Sequence, residues 1–237
     1  MINTEKIYEE VIKLKKLFDE DEQKYIDLAV QRNERTQTPL FPWVQVANLI
    51  MDLRDEMAEQ STKATGKNAL FKYCTAILKY NMRDGGRVSL TFSKVLSDGY
   101  QYACDGYRAI KIKEYLPLPE CPPEIGYPAL DKIVPNSLTG FEELTVLPSV
   151  AGLKTYYKIC KAEKKNIMSG KQVLYRFGEH LINAQWLYET MEALPNAKVY
   201  VDNYCRFLFV DEERDIKALI LGVREAALAN YEYMEVV

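Results

Sequence analysis

GRVSLTFSKVLSDGYQYACDGYRAIKIK, residues 86–113, reads as three short strands joined by two tight turns. Val88, Leu90 and Phe92 alternate with Ser89, Thr91 and Ser93, the period-two pattern of a strand with one face buried and the other wet. Ser97-Asp98-Gly99 carries turn chemistry, because Gly tolerates positive φ and Asp can bond its own backbone. Tyr100 and Tyr102 are the apolar positions of the next run, Asp105-Gly106 turns the chain again, and Ile110 and Ile112 alternate with Lys111 and Lys113. A three-stranded meander needs a cover for its apolar face, and the apolar helical run from Ala69 to Met82 stands ready to supply it.

The same order of elements returns near the end of the chain. Gln172 to Phe177 reads as a strand and Asn183 to Leu194 as a helix stopped by Pro195; Lys198 to Asp202, Cys205 to Val210 and Lys217 to Val223 then read as three strands. A helix followed by three strands thus occurs at 67–113 and at 172–224, a duplicated architecture with little residue identity. Between the two lie a proline-rich stretch, Leu116 to Pro135, expected to be an extended connector, and a helix from Leu153 to Lys165 with Leu153, Tyr156, Tyr157 and Cys160 on its apolar side. Ahead of them, residues 1–62 read as a helical region. Ile7, Val11, Leu14 and Phe18 mark a first helix, Asp21 to about Arg35 a second, and Val46, Ile50, Leu53 and Met57 a third. The small, polar run Ser61 to Gly66 separates this region from an α+β domain over 63–237.

Composition excludes several classes of function. With 237 residues, 48% of them hydrophobic and 27% charged, the chain has ample material for a globular core. A net charge of −3 means that any nucleic-acid contact must come from a local patch. No apolar run approaches the roughly 18 residues that span a bilayer, and the start, MINTEKIYEE, is too charged for a signal peptide, so a cytoplasmic protein is expected. Five cysteines without metal-type spacing read as buried or half-buried thiols. His180, the single histidine, has no serine or cysteine beside it in a recognisable motif and reads as a surface or capping residue. Gly85-Gly86 lacks the Lys-Ser/Thr of a phosphate loop, and Asp211-Glu212-Glu213 reads as a solvated turn rather than a metal site. No catalytic residue, cofactor or metal is expected.

Two basic stripes remain. Lys72, Lys79 and Arg83 fall within about 40° of one another at 100° per residue, and no acid stands between Lys63 and Arg83. Lys154, Lys158, Lys161 and Lys165 form a second row opposite the tyrosines of their helix. Each is read either as a solvated helical face or as a surface for nucleic-acid phosphates.

Ala103-Cys104-Asp105-Gly106-Tyr107-Arg108-Ala109 resembles the alanine-threonine-aspartate-glycine-histidine-arginine-leucine signature of the bacterial DNA polymerase sliding clamp, the beta subunit. Tyr127-Pro128, Asp131 and Pro135 resemble the linker that ends a clamp domain, and Asn183, Trp186 and Leu187 an asparagine-x-x-aromatic-leucine helix start. Ala218 to Arg224 resembles the closing strand of the clamp, with Gly222 where the family has proline. The resemblance covers 67–135 and 172–224, and the full clamp has three domains where this chain has material for one. It implies a DNA-clamp-like α+β fold of two helix-plus-three-strand repeats, in a single-domain relative of phage or mobile-element type. The implied role is non-enzymatic binding in DNA replication, with a replication protein or short peptide motif as one partner and non-specific DNA as another. By resemblance the peptide pocket is formed by Gly106, Tyr107, Arg108, Pro135, Asn183, Trp186, Leu219, Leu221, Val223 and Arg224, and the two lysine stripes meet DNA. The other reading of Trp186 and the 219–223 strand is plain core. An alternative function is a structural interaction module that keeps the fold without DNA or polymerase. A ring closed from one-domain subunits would need about six copies.

Overall fold

Alternation along the strands decides which layer each side chain joins. The computed structural model describes residues 54–83, 87–168, 172–177 and 180–223. The helices expected before residue 54, the Gly85-Gly86 turn, the side chain of Arg83 and the whole of Arg224 lie outside the described residues. The chain divides into two compact units, 1–61 and 62–237. Of the first, residues 54–61 are described and are helical. No helix among the described residues is long and apolar enough to cross a membrane.

The second unit is α+β. Helix α1 (Asn68–Arg83) precedes strands β1 (Lys94–Val95), β2 (Gln101–Cys104) and β3 (Arg108–Ile112). Strand β4 (Phe141–Glu143), helix α2 (Val150–Glu163) and strands β5 (Ile167–Met168), β6 (Gln172–Phe177) and β7 (His180–Asn183) follow. Helix α3 (Ala184–Ala193) and strands β8 (Lys198–Asp202), β9 (Arg206–Asp211) and β10 (Ile216–Leu221) complete it. The main sheet has the order β1-β2-β3-β10-β9-β8-β4, with every neighbouring pair antiparallel, and β5-β6-β7 form a second, smaller sheet. The two repeats read from the sequence meet at β3 and β10, and outward from that pair their strands run in mirrored order. An antiparallel central pair is what a two-fold axis normal to the sheet produces.

Helix α1 covers the first repeat as its pattern requires, with Leu70, Tyr73, Cys74, Ile77 and Leu78 buried and Lys72 and Lys79 exposed. On the same face of the sheet, Phe207 of β9 stacks on Phe177 of β6, with ring centres 5.9 Å apart. That contact seats the small sheet beside the helices. The opposite face is also covered. Tyr102, Ala109, Leu208 and Leu219 form one buried cluster with Leu130 and Val134 of the proline-rich stretch, so the expected connector is in fact a third layer of the domain. Lys217 Nζ fastens it by donating to the carbonyls of Pro135 at 3.2 Å and Asn136 at 2.9 Å. Covering on both sides explains why β2 and β3 are buried at every residue although their sequences alternate.

Three expectations are corrected. Residues 88–91 form a 3-10 turn, not a strand. Thr91 Oγ1 donates to the Val88 carbonyl at 2.8 Å, the local side-chain bond with which Ser and Thr compete against a ladder, and Val88 is left 63% exposed. Strand pairing begins only at Ser93, whose N–H donates to Pro119 O at 2.7 Å while its carbonyl accepts from Cys121 N at 2.8 Å. His180 is neither a cap nor a surface residue: it opens β7, half-buried, with its ring edge-on to Phe207 at 6.0 Å. Asp211 is buried at the end of β9, where its Oδ1 accepts from Arg214 N at 3.2 Å, and only Glu212 and Glu213 of that triplet face solvent. The five cysteines are all buried.

The packing around Gly222 explains the glycine. Its N–H donates to Cys205 O at 2.7 Å, a bond that proline cannot make. A Cβ there would meet Cys205 Sγ at 2.4 Å and the carbonyls of Cys205 and Leu181 at 2.7 Å. Gly222→Ala is therefore expected to cost about 1–3 kcal/mol of stability through overpacking, read by urea denaturation. Unchanged stability would mean that β10 closes differently from the described geometry.

Candidate docking cleft

The site begins at the turn between β2 and β3. Gly106 takes φ +91°, a conformation open to glycine and costly for other residues. Asp105 Oδ1 accepts from the backbone N–H of Tyr107 at 2.9 Å and of Arg108 at 2.7 Å, while Oδ2 accepts from Arg108 Nε at 2.7 Å. One carboxylate therefore folds the turn and holds the guanidinium. The result is a division of labour between neighbours: Tyr107 is 50% exposed and Arg108 only 3%.

Arg108 points under helix α3. Its Nη1 donates to Glu189 Oε2 at 3.0 Å, and its guanidinium carbon lies 5.1 Å from the ring centre of Trp186 and 5.8 Å from that of Tyr73. Burial opposes the guanidinium's charge, but Asp105, Tyr73 and Glu189 outweigh it, and the pKa moves up. Trp186 is placed by the start of α3, where Asn183 Oδ1 accepts from Gln185 N at 2.9 Å and Trp186 N at 3.3 Å as an N-cap. Tyr107 stacks on Trp186 with ring centres 5.7 Å apart, and Tyr80 of α1 stands edge-on to both at 6.1 Å. Thr190 Oγ1 donates to the Trp186 carbonyl at 2.7 Å and lies 2.9 Å from the Tyr73 hydroxyl, which locks α3 against α1.

A cleft of about 560 Å³ opens beside this cluster. Its walls are Lys72, Thr75, Ala76, Lys79 and Tyr80 from α1, Tyr157 and Lys161 from α2, Gln172 and Val173 from β6, Arg108 from β3, and Gln185, Trp186 and Glu189 from α3, together with the cap Asn183. A second cleft of about 440 Å³ continues along α1 and α3, sharing Lys72, Ala76 and Glu189 and adding Asn68, Ala69, Tyr73, Glu192 and Ala193.

Of the residues expected to form a peptide pocket, Arg108, Asn183 and Trp186 line the cleft, and Tyr107, next to Gly106 in the turn, stacks on Trp186. Leu221 adjoins them, 39% exposed, its N–H donating to the Tyr107 carbonyl at 2.9 Å, and Val223 is held by Leu181 O at 2.8 Å. Pro135 and Leu219 do not join: Leu219 is buried in the cluster under the proline-rich layer, where Pro135 also lies. The two-residue period of β10 turns Leu219 away from the helices. The lysines divide as well. Lys72, Lys79 and Lys161 line the cleft, whereas Lys154 Nζ pairs with Glu192 at 2.8 Å and Lys165 with Glu163 at 2.8 Å. Lys158 is exposed. The expected row from Lys154 to Lys165 is interrupted because α2 ends at Glu163 and Lys164 turns left-handed at φ 56°. Sequence reasoning missed Tyr73, Tyr80 and Glu189, though their spacing could have found them. Tyr73 and Tyr80 are seven apart, and Glu189 is three beyond Trp186, so each pair shares a helical face.

Among solved structures, the chain is similar to DNA polymerase III subunit beta from Borrelia burgdorferi in complex with a natural product, at 10% identity and a TM-score of 0.44, over 65% of this chain and 62% of that one. It is also similar to the C. crescentus beta sliding clamp with bound PEG, at 11% identity and a TM-score of 0.41, over 67% of this chain and 64% of the clamp. These are clamp subunits. The match spans less than two thirds of either. No family model and no curated protein matches the chain. The cleft's own residues decide what it can hold.

Proposed function

We propose that this chain is a non-enzymatic binding protein of the sliding-clamp type, serving DNA replication by docking a short segment of a partner protein at the Tyr107–Trp186 end of the cleft. The observation that carries this reading is the half-exposed Tyr107 ring stacked on Trp186, which itself lines an open cleft together with Arg108. Rigid aromatics backed by a fixed cation are the side chains that dominate protein interfaces. Catalysis is the poorer account of these residues. The cysteines are buried, and burial pushes the Cys104 thiol, beside the turn, up to about 11, which disfavours thiolate at neutral pH. DNA backbone is the weaker partner, because Lys154 and Lys165 are already engaged by carboxylates.

The test is Tyr107→Ala against a synthetic peptide carrying a bacterial clamp-binding motif. A loss of about 2 kcal/mol in binding, roughly thirtyfold in Kd, is expected with little change in melting temperature, since half of the ring already faces solvent. Equal binding by the variant would remove Tyr107 from the site. If the unaltered protein ignores this peptide, the replication role falls, and a fold-keeping interaction module with a different partner becomes the better reading.

A further inference from the structure

The turn at Asp105 is built a second time between β8 and β9. Asp202 Oδ1 accepts from Tyr204 N at 3.0 Å and Arg206 N at 2.9 Å, and its Oδ2 accepts from Arg206 Nε at 2.7 Å, the bonds that Asp105 makes to Tyr107 and Arg108. The outcome is the same. Arg206 is held, its guanidinium carbon 5.5 Å from the Phe141 ring centre and 5.7 Å from that of Tyr204, and Tyr204 is left 68% exposed. Register puts both turns at one end of the main sheet, because the last residues of β10 pair with Arg108 on one side and Arg206 on the other. Leu221, also exposed, lies between them. Two tyrosines whose backbones are fixed by carboxylates, with a leucine between, make an exposed apolar row on rigid supports, and such rows mark interaction surfaces.

β10 ends within that row. Gly222 N donates to Cys205 O at 2.7 Å and Val223 N to Leu181 O at 2.8 Å, so residue 224 follows beside the β8–β9 turn, three residues past the Leu221 N–H that bonds Tyr107 O. Residues 224–237 reach about 45 Å when extended, and a much shorter path returns Leu228, Tyr231 or Tyr233 to any part of the row. We infer that this segment is the surface's resident occupant: Leu228, Tyr231 and Tyr233 seat on Tyr107, Leu221 and Tyr204 of the same chain, and an outside partner docks by displacing them. Attachment at the border of the site gives the segment an effective concentration on the order of millimolar, which lets modest contacts compete with a partner. The displacement rests on the docking reading above; the seating does not.

The test is a spin label on Asn230→Cys in the full chain, where the five native thiols are buried, with the broadening of backbone amide signals read by NMR. The signals of Tyr107, Leu221 and Tyr204 are expected to broaden, equally at high and low protein concentration. Replacing Leu228, Tyr231 and Tyr233 together by Ser should restore them, while the signals of the β2 and β9 interiors stay in place. The same triple variant should bind the synthetic clamp-motif peptide about tenfold tighter than the unaltered chain, because the site no longer has to be vacated. Broadening elsewhere, or none, overturns the inference, and equal peptide binding by both chains would then leave the docking site standing. Broadening that appears only when labelled chains are mixed with unlabelled ones would make the occupant a second copy and overturn seating within one chain. If the three signals broaden as expected but neither chain binds the peptide, the seating holds and the docking reading fails.

Discussion

Trp186→Ala is expected to lower the stability of the domain by about 3–5 kcal/mol and to abolish docking at the same time. The ring is 7% exposed and lies between the Arg108 guanidinium at 5.1 Å and the Tyr107 ring at 5.7 Å, so truncation leaves a void that neither neighbour can fill without leaving its own partners. The backbone of the same residue is tied to Asn183 and Thr190, which hold α3 in place and hinder collapse of the gap. For a domain of this size the melting temperature should drop by roughly 6–20 °C. Tyr107→Ala, with most of its loss at the surface, should leave melting nearly unchanged. A drop of less than about 3 °C for Trp186→Ala would show that the ring is dispensable to the core and belongs to the ligand instead.

Arg108→Ala should be comparably costly, at about 3–5 kcal/mol, for an electrostatic reason. Arg108 and Asp105 have side chains 3% and 0% exposed, and removing the guanidinium leaves the Asp105 carboxylate buried without its countercharge. Glu189 would lose a partner at 3.0 Å as well. Asp105 has a second task, since it accepts two backbone N–H bonds that shape the turn, and Asn can keep those while shedding the charge. Asp105→Asn in the Arg108→Ala background is therefore expected to recover part of the loss. Urea denaturation of the two single variants and the double variant should give a coupling of about 1–3 kcal/mol. Strict additivity would mean that the pair's charges do not interact and that Arg108 serves by packing alone.

The domain's order of elements was legible because its strands and helices carry their periods in sequence: Gln172–Phe177 and Lys198–Asp202 fall where the pattern puts them, and Asn183 announces α3 as its cap. Val88 to Thr91 misled because alternation can be imitated by a hydroxyl-rich turn, and only Leu90 of that stretch found the core. β4 and β5 are two or three residues long, too short to show any period, and their pairing is settled by tertiary contact. The site was half legible. A turn signature can nominate Gly106, Tyr107 and Arg108, but that Arg108 would be shared by Glu189 from α3 and stacked on two rings depends on contacts between elements far apart in the chain. Leu219 and Pro135 show the converse: a fragment transferred by resemblance carries no record of which face its strand turns to the helices.

The borders of the main sheet have a consequence for assembly. At one border β4 lies on β8, so the chain supplies its own last strand; at the other, Ser93 next to β1 is bonded to Pro119 and Cys121 of the proline-rich layer. The rim that β4 itself presents is three residues long, and two of them are Glu142 and Glu143, both exposed. Such short, charged rims discourage a neighbouring sheet from adding on. Among the described residues, the main sheet therefore offers a neighbouring strand little open backbone at either margin, and contacts made there fall to side chains.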